Sequence, residues 1–289
     1  PILDWPRYKR NDEDEILVKE LRANYAALLS MCDEYFGKLM DYMDQHSMWD
    51  DTALILTTDH GFLLAEHEWW GKNRMPFFNE LANIPLLIYH PNNKKQAGER
   101  RLSLTQTIDI MPTLLDLFKV SHPEFVEGKS LLPLLEKDLK IREAAIYGMF
   151  GAGTNITDGR YTYFRYPEDM TKQDLYEYTL MPMRQKSLFP KEVLAEAILV
   201  RNFKFTGGVP LLKLPAQRNI KGQPVGHKGQ GGGYEDTTTV LYDLFDDPGQ
   251  QKPLRDEVIE KRLLKKLSDL MRENDAPSEA FVRLGLDSP

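Results

Sequence analysis

From Glu15 to about Gln45, apolar side chains recur at three- and four-residue steps: Leu17, Leu21, Tyr25, Leu28, Leu29, Cys32, Phe36, Leu39 and Met40. That spacing predicts one long helix or two, with Gly37 as the weak point. The acidic pair Asp50-Asp51 ends the run. Ala53-Leu54-Ile55-Leu56-Thr57-Thr58 then reads as a short buried strand of the kind found inside a parallel sheet. Asp59 to Glu80, rich in aromatics and charges, has the texture of a functional loop. Pro85 to Tyr89 predicts a second buried strand, and Leu102 to Thr105 a third. Asp109 to Phe118 predicts a helix with Asp109 as its N-cap. Helix, strand, loop, strand, strand, helix points to an α/β layer architecture.

Near residue 141 the texture changes. Ile146 to Met149 and Arg160 to Tyr166 are strand-like, with Asp158-Gly159 as a hairpin signal between them. Residues 168–200 read as mostly helical or irregular, and 206–235 are glycine-rich. Val240 to Leu244 predicts a strand, and Asp256 to Asn274 an amphipathic helix carrying Ile259, Leu263, Leu267, Leu270 and Met271 on one face. The expected organisation is therefore an α/β part over 1–140 and a small α+β subdomain over 141–289, with antiparallel strands and a terminal helix.

Composition narrows the function classes. With 37 basic and 44 acidic residues, the net charge of −7 argues against general binding to a nucleic-acid backbone. The single cysteine, Cys32, excludes an internal disulfide framework and a cysteine-based zinc site. No apolar run approaches the ~20 residues needed to span a bilayer. No signal peptide is recognisable, but the chain starts at Pro1, so its compartment stays open between cytoplasmic and periplasmic or secreted. Oligomeric state is equally open.

The segment Thr57 to Lys72 carries the candidate chemistry. An apolar strand ends at adjacent Asp59 and His60, and Gly61 lets the backbone turn sharply. In open α/β sheets, ligands bind beyond the carboxyl ends of strands. A carboxylate beside an imidazole suits a divalent cation; a capping Asp with a hydrogen-bonded His gives the same spacing. Lys72, 13 residues after Asp59, either binds an anion or is a solvated surface lysine. Glu66 and His67 read as loop-bracing groups more than as ligands, and at least one of Trp69 and Trp70 as packing the loop down.

These residues resemble the sulfatases of the alkaline-phosphatase superfamily. The family pattern, a strand followed by Ser/Thr-Asp-His/Asn-Gly, Gly-Glu-His-Gly, Trp and Lys, reads here Thr58-Asp59-His60-Gly61, Ala65-Glu66-His67-Glu68, Trp69 or Trp70, and Lys72. Ile84-Pro85-Leu86, Asp109 to Leu115, Gly128 to Leu135 and Leu241-Tyr242-Asp243-Leu244 resemble further family segments in the same order. Ala65 and Glu68 depart from the usual glycines. Cys/Ser-x-Pro-x-Arg, which carries the formylglycine nucleophile, and the family's pair of metal-binding Asp residues have no counterpart in the sequence.

The resemblance implies an alkaline-phosphatase-like sheet with flanking helices, present in part. It implies Asp59 and His60 as ligands of calcium or magnesium and Lys72 as a catalytic contact to a sulfate oxygen. His67 would be a neighbour on the substrate side. His227 and Lys228, at the centre of the glycine-rich segment 222–233, would be a substrate-facing loop. The expected substrate is a sulfated small molecule or carbohydrate, and these 289 residues alone are expected to be inactive. Two rivals remain: a phosphonate monoester or phosphodiester hydrolase of the same superfamily, and a non-catalytic sulfatase-like domain. In either enzyme reading, Asp59, His60 and Lys72 should converge on one anion-and-cation site.

Overall fold

The computed structural model describes residues 10–72, 76–170, 172, 174–183, 187–201, 203–216 and 236–288. It opens with α1 (Glu15–Gln45), one continuous 31-residue helix whose first turn is capped by the Asp14 carboxylate accepting from the Leu17 N–H. Gly37 does not break it. Next come β1 (Leu54–Thr57), the two-residue strands β2 (Leu63–Leu64) and β3 (Trp70–Gly71), the short α2 (Asn79–Ala82) and β4 (Leu86–Tyr89). β2 and β3 form a small hairpin, so the loop expected over 59–80 is partly regular.

β1 and β4 pair antiparallel, with Leu54 opposite Tyr89 and Thr57 opposite Leu86. This corrects the expected parallel arrangement among the described residues. An apolar run reports burial, not direction, and here even burial is incomplete: the cross-strand partners Leu56 and Leu87 are 39% and 57% exposed.

The strand expected over 102–105 does not form either. The backbone N–H groups of Leu102 and Ser103 both donate to the Asp138 carboxylate, so a side chain holds the donors that a sheet ladder would need. Asp109 stands at the expected N-cap position of α3 (Ile110–Leu117), but its side chain makes no capping bond to that helix and is fully buried. It accepts from the backbone N–H groups of Gln106 and Lys129 and, at 2.5 and 2.6 Å, from the Arg142 guanidinium. The two-toothed guanidinium contact pairs a charge that would otherwise be costly to bury.

After α4 (Leu132–Glu136), the strands β5 (Ala145–Gly148), β6 (Thr154–Thr157) and β7 (Tyr161–Arg165) run antiparallel. β8 (Tyr176–Thr179), α5 (Lys191–Ala195), β9 (Ile198–Val200) and β10 (Leu211–Pro215) follow. β8, β10 and β9 make a separate three-stranded sheet, a correction to the helical or irregular reading of 168–200. β11 (Val240–Asp243) then joins β7, completing a four-stranded sheet in the order β11-β7-β6-β5. α6 (Glu257–Glu273) starts at the Asp256 cap and buries Leu263, Leu267 and Met271 against Ile156, Tyr163 and Leu241. α7 (Ser278–Arg283) adds Phe281 to the same core.

The other face of that sheet joins the two halves of the sequence. Phe164, Tyr166 and Tyr242 pack in one cluster with Leu63, Trp69, Phe78 and Leu81. The hairpin carrying the candidate chemistry is thus seated on the C-terminal sheet.

Candidate active site at the end of the first strand

The chain leaves β1 at Thr57 and turns at Gly61. A Cβ there would lie 1.6 Å from the Glu80 carbonyl oxygen, so only glycine lets the turn approach α2 this closely. The Gly61 N–H donates to the Leu81 carbonyl, which fixes the turn.

Three side chains meet just outside β1. His60 Nδ1 lies 2.8 Å from the Gly61 carbonyl oxygen, an acceptor only, so this nitrogen carries a proton. Its Nε2 faces Lys72 Nζ at 2.5 Å. An ammonium only donates, so Nε2 presents its lone pair. Asp59 Oδ2 lies 3.3 Å from the same Nε2, and Asp59 Oδ1 accepts from the His60 backbone N–H at 3.0 Å. The Thr58 hydroxyl donates to Asp59 Oδ1 at 3.3 Å.

Desolvation acts to raise the Asp59 pKa. The backbone N–H of His60 and the Thr58 hydroxyl act the other way, and the carboxyl stays below its usual value. The side chain is 80% exposed and His60 35% exposed, so the cluster is open to solvent.

The donor chemistry suits a divalent cation in part. An ionised carboxylate and an imidazole with a free lone pair are both accepted ligands, but calcium takes about six to eight donors. Among the described residues no group of three or more His, Cys, Asp or Glu side chains is placed to hold a metal ion. Asp59 and His60 therefore fit as two members of a larger shell.

The hairpin that delivers Lys72 is braced from several sides. Arg22 of α1 donates from Nε to the Leu64 carbonyl at 2.7 Å and from Nη2 to Glu66 Oε1 at 3.1 Å. Trp69, fully buried, donates through Nε1 to Asp236; this is the tryptophan that packs the loop down. Arg10 bridges Glu68 and Asp236.

His67 lies face to face on Phe78, with ring centroids 3.6 Å apart. Its Nε2 contacts Glu80 Oε2 and its Nδ1 contacts Gln251 Nε2, both at 3.3 Å. With its side chain 7% exposed and both ring nitrogens engaged, His67 is a brace in this structure and is not brought to the Lys72 cluster. Burial acts to raise the Glu80 pKa, but the hydrogen bond from His67 and a backbone N–H outweigh it and hold the carboxyl below its usual value. Sequence reasoning missed Arg22, Glu80 and Gln251, which sit outside the motif and gain meaning only through tertiary contact. His227 and Lys228 lie outside the described residues.

The family pattern's two departures have a structural reading. Ala65 and Glu68 both adopt left-handed backbone, with φ of 73° and 62°, where the family pattern has glycine. The loop has kept the glycine conformation without the glycines.

Comparison with known proteins agrees with the motif. The sulfatase family model matches residues 4–120, and the model for the C-terminal region of N-sulphoglucosamine sulphohydrolase matches residues 65–202. A multifunctional alkaline phosphatase superfamily protein, PehA of Trinickia caryophylli, is 35% identical over 122 residues, covering 42% of this chain and 23% of its own. An N-acetylglucosamine-6-O-sulfatase of Bacteroides thetaiotaomicron is 29% identical over 182 residues, covering 58% of this chain and 32% of its own. The chain thus spans between about a quarter and a third of the length of these relatives, 23% and 32%.

Among solved structures, one from work on the metabolism of multiple glycosaminoglycans by Bacteroides thetaiotaomicron superposes with a TM-score of 0.59 at 19% identity, covering 89% of this chain and 44% of the other. Likeness at that identity speaks for the fold, and the fold is the sulfatase-like one. Taken together, two overlapping family models that run from residue 4 to residue 202 across the Asp59, His60 and Lys72 cluster place the chain in the sulfatase family of the alkaline-phosphatase superfamily.

Proposed function

We propose that the protein of which this chain is a part hydrolyses sulfate esters to an alcohol and sulfate. The observation that carries this reading is the convergence of Lys72, His60 and Asp59 at the end of β1. Asp59 and His60 would hold two positions around a calcium or magnesium ion, which would neutralise charge on the sulfate oxygens. The Lys72 ammonium would donate to an oxygen on the leaving-group side, where negative charge develops as the ester bond breaks. The solvent-open cluster gains strength only when substrate and surrounding walls exclude water. A sulfated carbohydrate suits the likeness to an N-acetylglucosamine-6-O-sulfatase.

The nucleophile of this reading is a formylglycine outside the chain. Cys32 cannot supply it: it is followed by Asp33-Glu34-Tyr35 and sits exposed on α1. The 289 residues alone are expected to show no turnover of an aryl sulfate, and robust turnover by the purified chain would contradict this.

In the complete protein, Asp59→Ala should remove cation and activity together. Lys72→Ala should retain the cation and lower kcat by about 10²–10³, the usual loss for one transition-state donor. A second reading is a phosphonate monoester or phosphodiester hydrolase of the same superfamily, the superfamily that the name of the multifunctional relative PehA also gives. Comparing kcat/KM of the complete protein on matched sulfate, phosphate and phosphonate esters separates the two. Preference for the phosphorus esters would replace the sulfatase reading.

A further inference from the structure

His60 has one lone pair to offer at this site, and it is already engaged. Nδ1 is bound as a donor to the Gly61 carbonyl, and Nε2 accepts from Lys72 Nζ at 2.5 Å. An imidazole nitrogen carries a single in-plane lone pair, so it cannot accept from an ammonium and coordinate a cation at once. Two positive centres at that distance would also repel.

We propose that Lys72 and a divalent cation compete for His60 Nε2, so that binding the cation displaces the lysine and frees its ammonium for an anion. This rests on the reading of Asp59 and His60 as cation donors.

The local structure permits that exchange without moving the hairpin. Arg22, Trp69 and His67 hold the hairpin through contacts that do not involve Lys72. Lys72 follows β3 directly and carries its charge on a flexible four-carbon stem, so the displacement is confined to one side chain. Lys72 then has two roles in sequence. It keeps positive charge beside Asp59 while it holds His60, and it turns to the anion once a cation takes that nitrogen. Reciprocity follows: an anion that captures the released ammonium must strengthen cation binding by the same factor as the cation strengthens anion binding.

The test uses the complete protein, which supplies the other members of the cation shell, with Mn²⁺ as the probe, read by paramagnetic broadening of the His60 imidazole signals in NMR spectra. Lys72→Met should need at least roughly five-fold less Mn²⁺ than the unmodified protein for half-broadening, the lower end of ordinary coupling between ligands. Lys72→Arg, which keeps a cationic donor, should stay near the unmodified protein. Added inorganic sulfate should lower the Mn²⁺ midpoint of the unmodified protein and leave that of Lys72→Met unchanged.

Equal midpoints for the unmodified protein and Lys72→Met would overturn the competition and leave the cation reading standing. No broadening of His60 in any variant would overturn the cation reading and the competition with it. If Lys72→Met fails to fold, as judged by circular dichroism, the sulfate arm on the unmodified protein decides: an unmoved midpoint overturns the proposal.

Discussion

At the residue scale, the site depends on backbone positions as much as on charged groups. Gly61 is held where a Cβ would overlap the Glu80 carbonyl. Gly61→Ala is therefore expected to lower stability by about 1–3 kcal/mol, the range for forced overpacking, as read from the urea midpoint. Gly37 is the internal control. It sits within α1 with nothing within 4 Å of an added Cβ, so Gly37→Ala should raise stability by about 0.5–1 kcal/mol. Ala65 offers a second test. A left-handed conformation costs an L-residue about 1–2 kcal/mol, while glycine adds back about 0.5–1 kcal/mol of chain entropy. Ala65→Gly should therefore be neutral to mildly stabilising, and Ala65→Val should lower the melting temperature. A glycine variant less stable than Ala65 would show that the methyl group contributes packing the backbone angles do not reveal. The motif made these positions legible, since family glycines mark where left-handed backbone is needed. It could not tell that the conformation survives their replacement.

At the element scale, the β2–β3 hairpin is too short to hold itself, and its stability is borrowed from neighbours. One of these supports is titratable. The Glu80 carboxyl lies below its ordinary value of 4.5 because its interactions with His67 and a backbone N–H outweigh burial. A lowered folded value means that the stabilisation is complete above about pH 4.5 and is lost as pH falls through the lower folded value. Hydrogen exchange of the Leu64 and Trp70 amides should accelerate across that acidic window, relative to α6, and Glu80→Gln should flatten the dependence. An unchanged profile in Glu80→Gln would assign the acid sensitivity elsewhere. The elements followed the sequence where local information was sufficient. The 3.6-residue repeat gave α1 and α6, the Asp256 cap fixed where α6 begins, and apolar runs gave β1, β4 and β11. It was insufficient where a distant partner decides. Asp138 takes the backbone donors of Leu102 and Ser103 from 35 or more residues away. β8 and β9 exist because β10 inserts between them. Within the site, the approach of Asp59, His60 and Lys72 was legible through the resemblance of their motif to the family pattern, since their spacing alone left a capping Asp and a surface lysine also open. Arg22, Glu80 and Gln251 were not, because only the folded chain brings them to the hairpin.

At the scale of the whole molecule, two apolar surfaces have unequal fates. The sheet β11-β7-β6-β5 is covered on one face by α6 and α7 and on the other by the hairpin cluster. α1 is different: of its 31 residues only Met43 is buried, while Ile16, Leu28, Leu29 and Tyr35 are 59–71% exposed. The β1–β4 pair adds Leu56 and Leu87 to the exposed apolar surface. A helix with apolar residues recurring at three- and four-residue steps is one that packs against something, and a contiguous exposed patch beyond a few hundred Å² is uncommon on soluble monomers. The strands β1 and β4 also form a two-stranded sheet with unpaired edges among the described residues, which invites further pairing. The chain on its own is therefore expected to self-associate in a concentration-dependent way, as read by sedimentation velocity. Leu28→Lys with Leu29→Glu should reduce the association and leave helicity by circular dichroism unchanged, because both side chains face solvent. A cooperative, monodisperse monomer at all concentrations would show that the exposed face of α1 tolerates water. Association undiminished by the double substitution would move its cause from α1 to the sheet edge.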